Sequence, residues 1–144
     1  MPERRFAICV ATFYRDLADR LVAGAIEEFV DQGVAEGQVE VFEVPGAFEL
    51  PQAALRCARS DRYDGVVCLG AVIRGETSHY EHICSESAAG IMRVGLDTGT
   101  PCSFGVLTCE DMDQAIARSG GGKRNQGRDG AAAVLALAAV EPGP

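Results

Sequence analysis

Short unbroken apolar runs alternate along the chain with longer stretches in which apolar residues return every three or four positions. Residues 6–11, Phe-Ala-Ile-Cys-Val-Ala, form the continuous run expected of a parallel strand covered on both faces. From Asp16 the positions Leu17, Leu21, Ala25, Ile26 and Phe29 keep helical spacing until Gly33 stops the helix. Residues 39–44 are rich in β-branched side chains and predict a second strand, closed by Pro45-Gly46. Pro51 suits a first helical turn, so 49–59 read as a second helix with Leu50, Ala54, Leu55 and Ala58 inward. Residues 65–73 predict the third and most buried strand. The run breaks at Gly75, where a helix starts that carries Tyr80, Ile83, Ala88, Ile91, Met92 and Val94. Residues 101–108 predict a fourth strand, and Asp111 followed by Gln114 resembles a capping box for a short helix to Arg118. Three glycines from Gly120 break that helix. An alanine-rich last helix begins at Asn125 or Asp129 and runs to about Val140.

Strands alternating with helices through short loops imply an α/β three-layer sandwich: a four-stranded parallel sheet with helices on both faces, wound in the flavodoxin-like manner. No repeat, linker or composition shift divides the chain, so residues 1–144 are expected to form one domain. In such sheets ligands collect at the carboxyl ends of the strands. The segments least like core all fall there: Thr12-Phe-Tyr14, Pro45-Gly-Ala-Phe-Glu49 and Arg74 to His79.

With 47% hydrophobic residues the chain has material for a full core, which excludes disorder. A net charge of −8 argues against nucleic acid or an anionic membrane as partner, because both demand a cationic face. The N-terminal residues run straight into a strand-like stretch without an apolar signal core, and no uncharged run suggests a membrane span; a cytoplasmic protein is expected. The six cysteines show no C-x-x-C pair and read as small apolar residues in a reducing compartment.

A strand that ends in glycine and hands over to a helix leaves backbone N–H groups free to attract an anion. Gly75-Glu-Thr-Ser therefore reads either as a phosphate seat or as a plain capped helix start. His79, about one turn into that helix, could move a proton near neutral pH. His82 shares its face, but no third ligand accompanies the pair and no metal site is expected. Phe13 either closes the core or offers a stacking face to a planar ligand. Glu49 at a helix start and Arg118 at a helix end also fit the helix dipole alone.

Four stretches in this order carry a resemblance: Val44-Pro-Gly-Ala-Phe-Glu-Leu-Pro51, Leu69-Gly-Ala-Val-Ile-Arg-Gly-Glu-Thr-Ser-His-Tyr80, Phe104-Gly-Val-Leu-Thr108 and Gln114-Ala-Ile-Ala-Arg-Ser-Gly120. With them the chain resembles the 6,7-dimethyl-8-ribityllumazine synthase (riboflavin synthase beta-chain) family. That resemblance implies a transferase of riboflavin biosynthesis, without metal or cofactor. It condenses 5-amino-6-(D-ribitylamino)uracil with 3,4-dihydroxy-2-butanone 4-phosphate and releases phosphate and water. By position it implies that Phe13 stacks on the pyrimidine, that Ala47, Phe48 and Glu49 contact the ribityl chain and ring, and that Ala71, Val72 and Ile73 offer backbone hydrogen bonds. Glu76 and Thr77 would hold the phosphate, and His79 would move protons. Phe104 and Arg118 would reach in from a neighbouring copy of a homo-oligomer built from pentamers, and riboflavin synthase is an implied partner. The chain departs from the family pattern in Tyr14, Glu76, Gly122 and Gln126. The same sheet would also suit a pocket that binds a lumazine or flavin without turnover, or a flavodoxin-like FMN carrier.

Overall fold

Along the first strand, β1 (Phe6–Ala11), large and small side chains alternate: Phe6, Ile8 and Val10 point to one face, Ala7, Cys9 and Ala11 to the other. Period-two alternation with both sets buried requires cover on both sides. The computed structural model, which describes residues 3–143, supplies it. Strands β2 (Val39–Val44), β3 (Gly65–Ile73) and β4 (Cys102–Cys109) join β1 in one parallel sheet of order β2-β1-β3-β4. Helices α1 (Arg15–Asp31), α4 (Met112–Arg118) and α5 (Gln126–Ala138) supply Leu17, Leu21, Phe29, Ala115, Val134 and Leu135 to the core on the large-residue face. Helices α2 (Leu50–Arg59) and α3 (His79–Thr98) cover the small-residue face with Leu50, Ala54, Ile91 and Val94. The chain steps from β1 to β2 in one direction and from β2 across to β3 and β4 in the other. The α/β sandwich with a parallel four-stranded sheet is therefore the architecture observed, and right-handed crossovers then demand helices on opposite faces. Among the described residues no helix is long and apolar enough to cross a membrane.

Most elements fall where the periodicity puts them, and the departures have local causes. The helix expected directly after Gly75 begins only at His79, with Ser78 in the cap position. Thr77 Oγ1 accepts the His79 N–H at 3.3 Å, so the short polar side chains hold residues 75–78 in a bend rather than a helical turn. His79 is consequently the first helical residue, not one turn in. Strand β2 lies at the sheet edge and is only partly buried. Met92 faces outward, and Ile26 and Leu55 are half-buried. The capping box at α4 is displaced: Asp111 Oδ1 accepts the Gln114 N–H at 2.9 Å, while Gln114 Oε1 receives the Glu110 N–H at 2.8 Å. Of the six free cysteines Cys9, Cys57, Cys68 and Cys109 are buried, whereas Cys84 and Cys102 are half-buried. The contact of Cys9 Sγ with Cys57 Sγ at 3.8 Å, followed by burial, pushes the Cys9 thiol up, and burial raises Cys68. These thiols pack as neutral groups.

Helices α1 and α5 cross at backbone contact. A Cβ at Gly127 would lie 1.9 Å from the Leu21 carbonyl oxygen, a backbone atom that no rotamer change can move. Arg128, next in sequence, reaches back to Glu27, Glu28 and Asp31 of α1 at 2.7 to 3.0 Å. Gly127→Ala is expected to force the helices apart and cost about 1–3 kcal/mol of stability. Gly37→Ala, with open space around the new methyl, should stay within about 0.5 kcal/mol of the parent. Urea midpoints of the two variants check this, and equal midpoints would contradict it.

Candidate active site

Adjoining strands of unequal pairing length create an opening in the sheet. The register of β3 with β1 ends at Leu69 opposite Val10, whereas its register with β4 continues to Ile73 opposite Cys109. Past Leu69 the edge of β3 that faces β1 is outside the ladder, and Ala71, Val72 and Ile73 line a cleft of about 650 Å³ there. The chain leaves β1 to one side and β3 to the other, so this is the topological switch point of the sheet, where ligands of doubly wound folds sit.

Three loops close on the cleft. After β1, Phe13 stands 75% exposed, with its ring edge-on to Tyr14 at a centroid distance of 4.9 Å. Of the two readings of Phe13, core closure is thereby removed. After β2, a 3₁₀ turn (Ala47–Glu49) buries Ala47 and leaves Phe48 54% exposed. Glu49 Oε1 accepts the Gly46 N–H at 2.9 Å, which fixes that turn and one carboxylate oxygen. Beyond β3, Gly75, Thr77 and His79 form the third wall, with His79 exposed at the first position of α3. Two exposed aromatic rings and an imidazole around an open strand edge can stack on a planar ligand, hydrogen-bond along its rim and exchange a proton with it.

Nine of the twelve site residues singled out in the sequence line this cleft: Phe13, Ala47, Phe48, Glu49, Ala71, Val72, Ile73, Thr77 and His79. Glu76, Phe104 and Arg118 do not. The Glu76 side chain is exposed and outside the lining. Phe104 lines a separate apolar groove of about 790 Å³ with Met92, Leu96, Leu137 and Val140. Arg118 is half-buried at the end of α4, its Nη1 donating to the Gln114 carbonyl at 3.2 Å. No lysine or arginine is found among the described residues that line the cleft.

Tyr80 and Ile83 line the cleft although their spacing marked them only as inward positions of α3. Burial pushes the Tyr80 phenol up. Arg74 belongs to the non-core segment 74–79 of the sequence, where nothing in the spacing gives it a role of its own. Its guanidinium carbon is 4.3 Å from the Tyr80 ring centroid, its Nε donates to Glu110 at 2.7 Å, and its Nη1 donates to Glu81. That guanidinium holds the Glu81 carboxyl below the usual carboxylate range. The signal was a cation flanked in sequence by an aromatic and a carboxylate, six and seven residues on, a pairing that only the bend at 75–78 brings together.

Among the described residues no three His, Cys, Asp or Glu side chains converge as a metal-holding group. A family model for 6,7-dimethyl-8-ribityllumazine synthase matches residues 3–141. The 6,7-dimethyl-8-ribityllumazine synthase of Salinibacter ruber (strain DSM 13855 / M31) is 44% identical over 138 residues, 96% of this chain and 88% of its own. That of Desulfatibacillum aliphaticivorans is 44% identical over 138 residues, 96% of this chain and 86% of its own. The chloroplastic 6,7-dimethyl-8-ribityllumazine synthase of Arabidopsis thaliana is 45% identical over 136 residues, 94% of this chain and 60% of its own length. With the match running almost end to end and through every loop of the cleft, the chain belongs to the 6,7-dimethyl-8-ribityllumazine synthase family.

Proposed function

We propose that the cleft at the ends of β1 and β3 is where this chain, as a lumazine synthase, condenses 5-amino-6-(D-ribitylamino)uracil with 3,4-dihydroxy-2-butanone 4-phosphate. The observation that carries the assignment is the open edge of β3 at residues 71–73, flanked by Phe13, Phe48 and His79 in one cleft. A pyrimidine laid along that edge meets backbone donors and acceptors, and the Phe13 face covers its plane. Ala47, Phe48 and Glu49 then border the ribityl chain. Glu76 and Thr77 serve the phosphate through backbone N–H and hydroxyl groups at the start of α3.

The reaction places its demands on protons. The uracil amine attacks the ketone and loses water to form an imine, phosphate departs to leave an enol, and the enol becomes a ketone. The ribityl-bearing nitrogen then closes the ring with loss of a second water. Each step takes or gives a proton, and His79 at the mouth is the group suited to both. Holding two substrates on one rigid edge supplies much of the remainder, because the encounter is already made.

A dianionic phosphate in a cleft whose own lining lacks a cation needs one from elsewhere. We assign that role to Arg118 of a second copy in a homo-oligomer built from pentamers, with Phe104 of that copy reaching in as well. The apolar groove beside Phe104, with Leu96 76% exposed and Met92 63% exposed, offers the contact surface. We place the protein in the cytoplasm, a compartment that suits six thiols.

Mixing the purified protein with both substrates is expected to yield lumazine fluorescence and inorganic phosphate in equal amounts; phosphate without lumazine, or neither, would overturn the assignment. His79→Ala should slow turnover by about a hundred- to ten-thousandfold without abolishing it, the span of a general acid–base contribution. Arg118→Ala should mainly raise KM for the butanone phosphate, and steady-state kinetics with each substrate varied reads the difference.

A further inference from the structure

We infer that Arg74 is a positioning residue that sets both the imidazole-bearing start of α3 and the guanidinium-bearing helix α4 from a single point at the end of β3. This inference rests on the reading of the cleft as a condensing site. Arg74 is the first residue beyond β3, and its backbone N–H still donates to the Cys109 carbonyl at 2.9 Å, so its Cα belongs to the rigid end of the sheet. The side chain forks from there. One arm reaches Glu81 in the first turn of α3, two residues after His79, and the guanidinium plane covers Tyr80 of the same turn. The other arm, Nε, holds Glu110 at 2.7 Å in the connection from β4 to α4.

From Glu110 a short chain of bonds leads to Arg118. The Glu110 N–H donates to Gln114 Oε1 at 2.8 Å, and the Gln114 carbonyl accepts from Arg118 Nη1 at 3.2 Å. One guanidinium thus fixes the approach of two groups that have opposite tasks. His79 follows five residues that are neither strand nor helix, and besides Arg74 the first turn of α3 is held by the Thr77 hydroxyl, the Ser78 carbonyl and the packing of Tyr80 and Ile83. Both ion pairs are solvent-exposed, so their contribution to global stability is small. Their value is geometric: a planar fork with fixed donor directions sets two carboxylates in place, which the single ammonium of a lysine cannot do.

The two arms can be cut separately. Glu81→Gln is expected to lower kcat severalfold with KM for the butanone phosphate unchanged, since it loosens only the His79 end. Glu110→Gln should raise that KM with kcat unchanged. Arg74→Met should do both, with kcat down about tenfold, the order expected from a small misplacement of a reacting group. Arg74→Lys should recover only part of either constant. Backbone amide exchange of the Arg74→Met chain gives a readout that needs no turnover. Faster exchange in both 79–84 and 110–118, with the core strands unchanged, is expected. Unchanged exchange in either segment overturns the inference, as does a Glu81→Gln and Glu110→Gln pair that moves the same kinetic constant. A parent chain with no lumazine activity but with the exchange response intact would sink the condensing site and leave the tether standing.

Discussion

Pairing that stops short on one side of a central strand is the constraint on which this molecule depends. β3 stays bonded to β4 through Ile73 but parts from β1 after Leu69. Backbone polar groups in a sheet must find partners, and those past Leu69 on the β1 side have none in the ladder. That edge presents backbone donors and acceptors suited to the rim of a flat polar ligand. Everything else at the site follows from where the neighbouring strands release the chain. Phe13 and the 47–49 turn emerge on one side of the gap, and the 75–79 bend closes the other.

Charge makes a second demand. The chain carries a net −8, and its cleft is lined by one carboxylate, Glu49, and no permanent cation among the described residues. The overall field does not draw an anion there, so in the proposed site recognition rests on local groups: helix-start N–H donors, the Thr77 hydroxyl and the Arg118 guanidinium of a second copy. Met92, Leu96, Leu137 and Val140 stand exposed along the groove that the half-buried Phe104 lines. In the proposed assembly one contact satisfies both needs, burying apolar area and delivering Arg118.

Much of this was legible in the sequence, for physical reasons. Unbroken runs such as Gly65–Ile73 mark strands covered on both faces, and the helical repeat of Leu17, Leu21 and Phe29 marks α1. Their order alone placed Phe13, Glu49 and His79 at one end of the sheet. Periodicity carries no information on loop conformation, however, so it predicts helix from Gly75 and sets His79 a turn too deep. It is equally silent on side chains that meet through space. The role of Arg74 is hidden in the sequence because its partners, Tyr80, Glu81 and Glu110, approach only after the bend and the β4–α4 loop are built. Nor can spacing say which copy of a chain a residue serves, and Phe104 and Arg118 lie outside their own chain's cleft for that reason in the proposed assembly.

In the proposed assembly an open strand edge in one copy and a guanidinium in the next make one site. Co-expression of His79→Ala and Arg118→Ala chains tests it most directly. In mixed rings about a quarter of the clefts would pair an intact His79 with an intact neighbouring Arg118, as random assembly of a head-to-tail ring requires. At substrate concentrations below KM, the co-expressed protein is expected to recover activity well above the mean of the two separate variants. Activity no greater than that mean, in oligomers verified to contain both chains, would mean that no cleft is completed by its neighbour.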